Sequence, residues 1–441
     1  MSVTEDISRR AVADLPSGPT VRPGRPRDIA LLGGAPAFED WLLVGRPNVA
    51  DGEAFLARMR TMLDSRRFAN NGPMVVEFEA RVAAMMAARH CIAACNATIG
   101  LELVMNAMGI TGEVIVPSFT FIATAHVLQR LNIRPVFCDV DPETHCLDPE
   151  RVRAAITPRT TAILGVSLWG NYDGERALRT IADEHGLMLI YDSAHSVGCA
   201  REHGSDARLC DAEVLSFHAT KCIHALEGGA ILTDDPILAG KLRLMLNFGF
   251  AGEDRVAHIG TNGKMNEAEA AMGLTSLDGA ERIFAHNAAN LAAYARGLEG
   301  VPGVTMRLPS VARHNHQYAV AEVDAGAAGL TRDEIVAALR RENVLARRYF
   351  HPGCHRSEPY ATLYPDAGRA LPETEALCER VMVLPNGLTV STDDIARLTD
   401  RIAAIVDEAP RVRRALAAAA DPGLPLKASA GEPTPPVLPR P

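Results

Sequence analysis

Lysine is almost absent from this chain. Of 45 basic residues only Lys221, Lys241, Lys264 and Lys427 are lysine, so chemistry that needs a side-chain amine has four candidates. Long apolar runs are also lacking. None approaches the ~18 residues of a membrane span, and the N-terminus has no basic-then-apolar secretory leader. The expected compartment is therefore the cytoplasm, with no membrane contact. Positive charge is not in excess: the net charge of −9 excludes a general nucleic-acid binder. The nine cysteines are odd in number, scattered, and never spaced C-x-x-C. That pattern argues against a disulfide framework or a zinc site and for buried, reduced thiols. Aromatic residues make up only 5% of the chain.

What is present is an ordinary globular composition, 47% hydrophobic and 22% charged over 441 residues, enough for two to three domains. Residues 1–28 are polar and carry Pro and Gly, which reads as a disordered leader. Residues 411–441 read as a tail, proline-rich from Asp421 onward. Between them, short apolar runs alternate with amphipathic stretches. Glu113–Pro117, Pro135–Val140, Thr161–Val166, Leu187–Asp192, Glu213–Phe217 and Gly229–Thr233 read as strands. Several are apolar on both faces, as in a parallel sheet covered by helices. Gly174–Gly186 has helical spacing and a glycine stop. The series predicts a large α/β domain over residues 29–275. Helical stretches at Ala280–Leu298, Arg332–Arg341 and Thr392–Val406 flank the apolar runs His316–Val323 and Val344–Phe350. They predict a smaller α+β domain over residues 276–410.

Ligands of open α/β sheets bind at the carboxyl ends of the strands, and four features gather there. Ser216–Lys221 places a lysine just past a strand, followed by Gly228 and Gly229. Desolvation at such a position lowers an amine's pKa and makes it a nucleophile; the bland alternative is a solvated loop lysine. Asp192 ends an apolar strand and needs a cationic partner. A protonated pyridine nitrogen is one, an arginine or a helix N-terminus another. His195, three residues on, either contacts a ligand or is structural. Cys95–Gly100 opens a helical run with small and hydroxylated residues, suited to an anion or to simple capping by Asn96 or Thr98. Phe121, after the strand ending at Pro117, either covers an aromatic cofactor or packs in the core. Together these supply an amine, a carboxylate for a ring nitrogen, a phosphate cradle and an aromatic lid. That set describes pyridoxal 5'-phosphate held as a Schiff base.

The ordered motifs are Asn71–Pro73, Cys95–Thr98, Val116–Ala125, Phe137–Thr144, Tyr191–His195, Ser216–Lys221 with Glu227–Ala230, and Gly260–Glu267. By these the chain resembles the DegT/DnrJ/EryC1/StrS sugar aminotransferases, fold-type I pyridoxal-phosphate enzymes, from about Val44 to Val406. The resemblance implies that Lys221 carries the cofactor and that Asp192 pairs with its ring nitrogen. It implies His195 near the ring and its 3-oxygen, where many relatives have glutamine, and Phe121 stacked on the ring. It places Ala97, Thr98 and Ser216 at the phosphate. Asn262 would reach that phosphate from a partner subunit, making a homodimer with shared sites. One branch of the family is a dehydratase with histidine at the lysine position; Lys221 here favours transamination.

Val44–Asn48, Phe217–Lys221 and Asn343–His355 resemble the 4-aminotransferases of dTDP-4-keto-6-deoxyglucose. The implied substrates are that nucleotide-linked keto sugar and L-glutamate, with pyridoxamine 5'-phosphate as the intermediate cofactor form. Asn71, Tyr349 and His355 are candidate substrate contacts, with domain packing as the alternative for each. A 3-aminotransferase acting on a 3-keto nucleotide sugar, an aminotransferase of a cyclic polyol, a non-catalytic regulator that binds the cofactor, and a bare α/β binding module remain the competing readings.

Overall fold

The computed structural model describes residues 29–201, 208–309, 311 and 313–419. The leader expected at 1–28 and the proline-rich stretch after residue 419 lie outside them.

The core of the chain is a seven-stranded sheet. Its strands are β1 (His90–Ala94), β2 (Glu113–Pro117), β3 (Arg134–Cys138), β4 (Thr160–Val166), β5 (Met188–Asp192), β6 (Ala212–Ser216) and β7 (Gly229–Thr233). They lie in the order β1-β7-β6-β5-β4-β2-β3. β3, β2, β4, β5 and β6 pair in parallel, and β7 runs antiparallel to both β6 and β1. Strands β2, β6 and β7 are buried at every position, which is why apolar residues sit on both of their faces, interrupted by Glu113, Glu213, Ser216 and Thr233. On one face Val214 of β6 and Ile231 of β7 join Leu101 and Val104 of the helix Ala97–Ala107. On the other face Leu215 and Ala230 meet Phe78 and Ala271. Helices thus cover both faces, as the fold class requires.

The helix Glu175–His185 buries Leu178, Ile181 and Ala182 and stops at Gly186, whose φ of 63° is left-handed. Within this sheet β1 is the strand the sequence does not announce, because H-C-I-A-A has one β-branched residue, Ile92, and no polar–apolar alternation.

A second, three-stranded antiparallel sheet holds β8 (Val304–Met306), β9 (Ala319–Val323) and β10 (Val381–Leu384), with β9 in the middle. The helices Ala280–Leu298, Arg332–Arg341 and Thr392–Asp407 pack with it. The described N-terminal residues join this cluster rather than the large sheet. Ile29 and Phe38 are buried in it, Leu42–Leu43 pairs in parallel with Val344–Leu345, and the Glu342 carboxylate accepts the N–H groups of Ala30 and Ala37 at 2.8 Å each. Ordered chain also continues past residue 411, where a tail was expected. The helix Ala409–Ala419 seats Val412, fully buried, in the same cluster.

No helix among the described residues is long and apolar enough to cross a membrane. Among them, no group of three or more His, Cys, Asp or Glu side chains could hold a metal ion.

Candidate active site

Strand register brings the candidate residues to one edge. Val166, Asp192 and Val214 are Cα neighbours across β4, β5 and β6. Ser216, Gly229 and Ala94 are neighbours across β6, β7 and β1. The loops that leave this edge therefore converge.

Lys221 lies in the loop between β6 and β7. That loop is closed by the Phe217 N–H to the Gly228 carbonyl and the Ala225 N–H to the Phe217 carbonyl, both 2.8 Å. Burial pushes the Lys221 amine down to about 8, with Asp192 and Cys222 opposing. Its Nζ lies 3.3 Å from the Tyr318 hydroxyl. The other described lysines are engaged elsewhere, Lys241 on the Ala107 carbonyl at 2.6 Å and Lys264 on Asn247 Oδ1 at 2.7 Å.

Asp192 is buried and oriented. Its Oδ2 accepts the Thr124 hydroxyl at 2.8 Å and its Oδ1 the Ala194 N–H at 3.2 Å. Burial raises its pKa, against these donors and Lys221. A carboxylate so placed is stabilised by a cation brought to it.

His195 sits in an aromatic stack. Its ring is near-parallel to Trp169 at 5.8 Å and Phe350 at 6.1 Å, and tilted on Tyr318 at 4.4 Å. The Trp169 N–H donates to His195 Nδ1 at 3.2 Å, so the ring proton belongs on Nε2. Burial holds this imidazole well below its usual pKa, leaving it a neutral donor. Trp169 itself has φ 58°, a rare conformation for a bulky residue.

The phosphate candidates meet at the start of the helix Ala97–Ala107. The Asn96 side chain caps it by accepting the Ile99 N–H at 2.8 Å. The N–H groups of Ala97 and Thr98 fall in the first turn, which has no intrahelical acceptor for them. A Cβ on Gly229 would stand 2.4 Å from the Asn96 carbonyl carbon and 2.6 Å from the Ala97 nitrogen, so only glycine lets β7 begin this close. Ser216 is buried at the same edge, its Oγ accepting the His218 N–H at 3.4 Å.

Asn262 is exposed. Its segment is tied down beside the cradle: Asn262 bridges to Asn247, and the Gly263 carbonyl accepts the Cys95 N–H at 2.7 Å.

Phe121 is 59% exposed at the head of the helix Ile122–Arg130, so it packs against no core. Beside it opens a cavity of about 460 Å³ lined also by Arg340, Arg347, Arg348 and Tyr349. The Tyr349 ring stacks on Phe350 at 5.0 Å.

Two substrate candidates stand elsewhere. Asn71, exposed with φ 59°, lines a different cavity with Asn247 and Lys264. His355 is buried with both ring nitrogens occupied, Nδ1 by Ser118 Oγ at 2.7 Å and Nε2 by Glu375 Oε1 at 2.8 Å. These bonds tie the loop after β2 to Glu375 and give a buried imidazole the two partners it needs.

Thr124, Trp169 and Tyr318 belong to the site without having been expected there. The first sits three residues past Phe121, one helical turn on, and the second is one of only two tryptophans. Tyr318 carried no signal, since it comes from the other sheet.

The residues fit pyridoxal phosphate. The glycine-cleared cradle suits a phosphate, the buried Asp192 a ring N–H, and the desolvated Lys221 a carbonyl carbon.

Comparisons with known proteins agree. The profile of the DegT/DnrJ/EryC1/StrS aminotransferase family matches residues 49–403, and the enzymes of that family depend on pyridoxal phosphate. A dTDP-4-amino-4,6-dideoxy-D-glucose transaminase of Shigella dysenteriae is 34% identical over 83% of this chain and 99% of its own. The crystal structure of DesI in the presence of its TDP-sugar product superposes with a TM-score of 0.82 at 46% identity, over 88% of this chain and 98% of that one. DesV of S. venezuelae, solved in complex with a ketimine intermediate, gives 0.75 at 29% identity, over 80% and 95%.

Proposed function

Because the chain belongs to the DegT/DnrJ/EryC1/StrS aminotransferase family, we propose that it aminates C4 of dTDP-4-keto-6-deoxyglucose, with L-glutamate as donor. The observation that carries transamination is the desolvated amine of Lys221, electrostatically coupled to the buried Asp192 at one sheet edge. The sugar and its nucleotide rest on the likeness to the transaminase and DesI above.

When bound, pyridoxal phosphate supplies an electron sink conjugated to the amine it carries. The chain does the rest. Asp192 keeps a proton on the ring nitrogen, the neutral His195 donates from Nε2, and Phe121 covers one face. The first turn at Ala97 and Thr98, with Ser216, receives the phosphate. Lys221, once free, takes the proton from the α-carbon of glutamate and gives it up again; tethering supplies the high effective concentration. In the second half the same residues run in reverse on the C4 ketone. Tyr349 and the arginines of the adjoining cavity suit a nucleotide diphosphate, for which guanidinium is the geometric match.

The enzyme works as a homodimer, with Asn71 and Asn262 serving the partner's site. Exposed Phe248, Phe250, Val256 and Ile259 on the Asn262 segment form an apolar patch of the kind that marks a subunit interface. A cytoplasmic setting suits its nine cysteines, all free and all but Cys95 buried.

The test is a divided reaction. Glutamate should bleach the visible band of the cofactor-loaded enzyme. After glutamate is removed, dTDP-4-keto-6-deoxyglucose should restore the band within one turnover, and the 3-keto isomer should not. Restoration by the 3-keto sugar alone would overturn the C4 assignment; no bleaching by glutamate would overturn the donor.

A further inference from the structure

Residues 314–318, which lead into β9, touch three loops of the site, those of Trp169, His195 and Lys221. His314 Nε2 lies 2.9 Å from the Trp169 carbonyl. Asn315 Nδ2 donates to the carbonyls of His195 at 2.8 Å and Val197 at 3.0 Å. Gln317 Oε1 accepts the N–H of Cys222, next to Lys221, at 3.2 Å. At the end of this clamp stands Tyr318, its hydroxyl 3.3 Å from Lys221 Nζ and its ring against His195 and Trp169, with centroids at 4.4 and 5.4 Å.

We infer that Tyr318 is a positioning residue of the transamination, its hydroxyl fixing the freed amine of Lys221 while that amine moves the proton. The inference rests on Lys221 being the cofactor lysine. Its physical basis is the lysine stem. Four rotatable carbons leave a released ammonium or amine many rotamers, and ordering them costs side-chain entropy. A polar group held by a rigid neighbour removes that freedom in advance.

A phenol can partner both states of the base: it donates its O–H to the neutral nitrogen and accepts from the ammonium, with no net proton change of its own. Burial raises the Tyr318 pKa well above its ordinary value, so the O–H persists at working pH. The titratable groups facing this pair are Asp192 and Cys222 at the amine, and Tyr349, Cys222 and His195 at the phenol. The clamp fixes the backbone on either side, so the hydroxyl is placed by the second sheet while the lysine hangs from the first.

The experiment compares full-length, cofactor-loaded Y318F with wild type. Borohydride reduction and peptide mapping come first. An adduct on Lys221 upholds the lysine reading in both proteins, and one on Lys241 or Lys264 overturns that reading and with it this inference. Given the adduct on Lys221, Y318F should lower the saturating rate of the glutamate half-reaction about 10- to 100-fold, the range that misplacement of a reacting group brings. KM for glutamate should stay within about threefold. The isotope effect with α-deuterated glutamate should rise, because proton transfer becomes more fully rate-limiting. The pH profile of the saturating rate should move, since the amine has lost its partner. A rate within twofold of wild type with unchanged isotope effect and pH profile would refute the role of Tyr318 while leaving Lys221 in place.

Discussion

Lys221 has exchanged water for an apolar setting and one buried carboxylate, and its reactivity follows from that exchange. The neutral amine is the nucleophile. With its pKa pushed down to about 8, half of the amine is neutral at pH 8, against roughly 0.4% for an unperturbed lysine. The apoprotein should therefore capture pyridoxal phosphate with a rate that rises through a midpoint near pH 8, followed by the growth of visible absorbance. Asp192 works against burial here by favouring the ammonium, so Asp192→Asn should move the midpoint lower. A midpoint near pH 10 in the wild type would show that the amine is solvated. Linkage has a matching sign: between pH 8 and about 10.4 the unfolded lysine binds a proton that the folded one does not, so this group makes the apoprotein more stable as pH rises through that window. Lys221 and Asp192 were legible in the sequence because each is chemically out of place, a carboxylate that closes one apolar strand and an amine in the loop after another. Trp169 and Tyr318 were not, because aromatic residues near apolar runs read as core until the fold brings them against His195.

His355 shows what an element-level brace looks like when read from one dimension. In sequence it follows a cluster of arginine and aromatic residues that line a cavity, so it passes for a ligand contact. In the fold the Ser118 hydroxyl accepts the His355 N–H at 3.0 Å and donates to Nδ1, while Nε2–H donates to Glu375 of the helix Pro372–Arg380. The loop after β2 is thereby tied to the second sheet's helix. Removing the imidazole leaves a buried hydroxyl without its acceptor, a loss of ~1–3 kcal/mol. His355→Ala should lower the melting temperature by several degrees while KM for the sugar nucleotide changes less than about twofold. A selective rise in KM at unchanged melting temperature would return His355 to the substrate. At this scale the strands and helices were largely legible, since periodicity and capping are local. The exceptions were non-local. β1 is a strand because β7 pairs with it, and residues 29–43 join the second sheet's cluster because Glu342 and Val344 hold them there.

At the scale of the whole molecule, Asn262 lies where it can serve either its own chain's site or that of a second copy. Asn262 is one residue from Gly263, whose carbonyl is bonded to Cys95 beside its own chain's cradle. Its side chain nevertheless faces outward, on a segment with Ile259 93% exposed and Phe248 and Phe250 bare. If that patch is covered by a second copy, each site takes Lys221 from one chain and Asn262 from the other. Lys221→Ala should be inactive alone, and Asn262→Asp nearly so, because the new carboxylate would repel the phosphate. Refolded together in equal amounts, half of the dimers are mixed, and a two-fold interface gives each mixed dimer one doubly altered site and one intact site. Activity should return to about a quarter of wild type. Were Asn262 to serve its own chain, every site would carry one lesion, and the mixture would stay as inactive as its parents. Mixed dimers confirmed by mass, without recovery, would therefore overturn the shared site. Recovery to a quarter would also fix the assembly, since a monomer has no route to it.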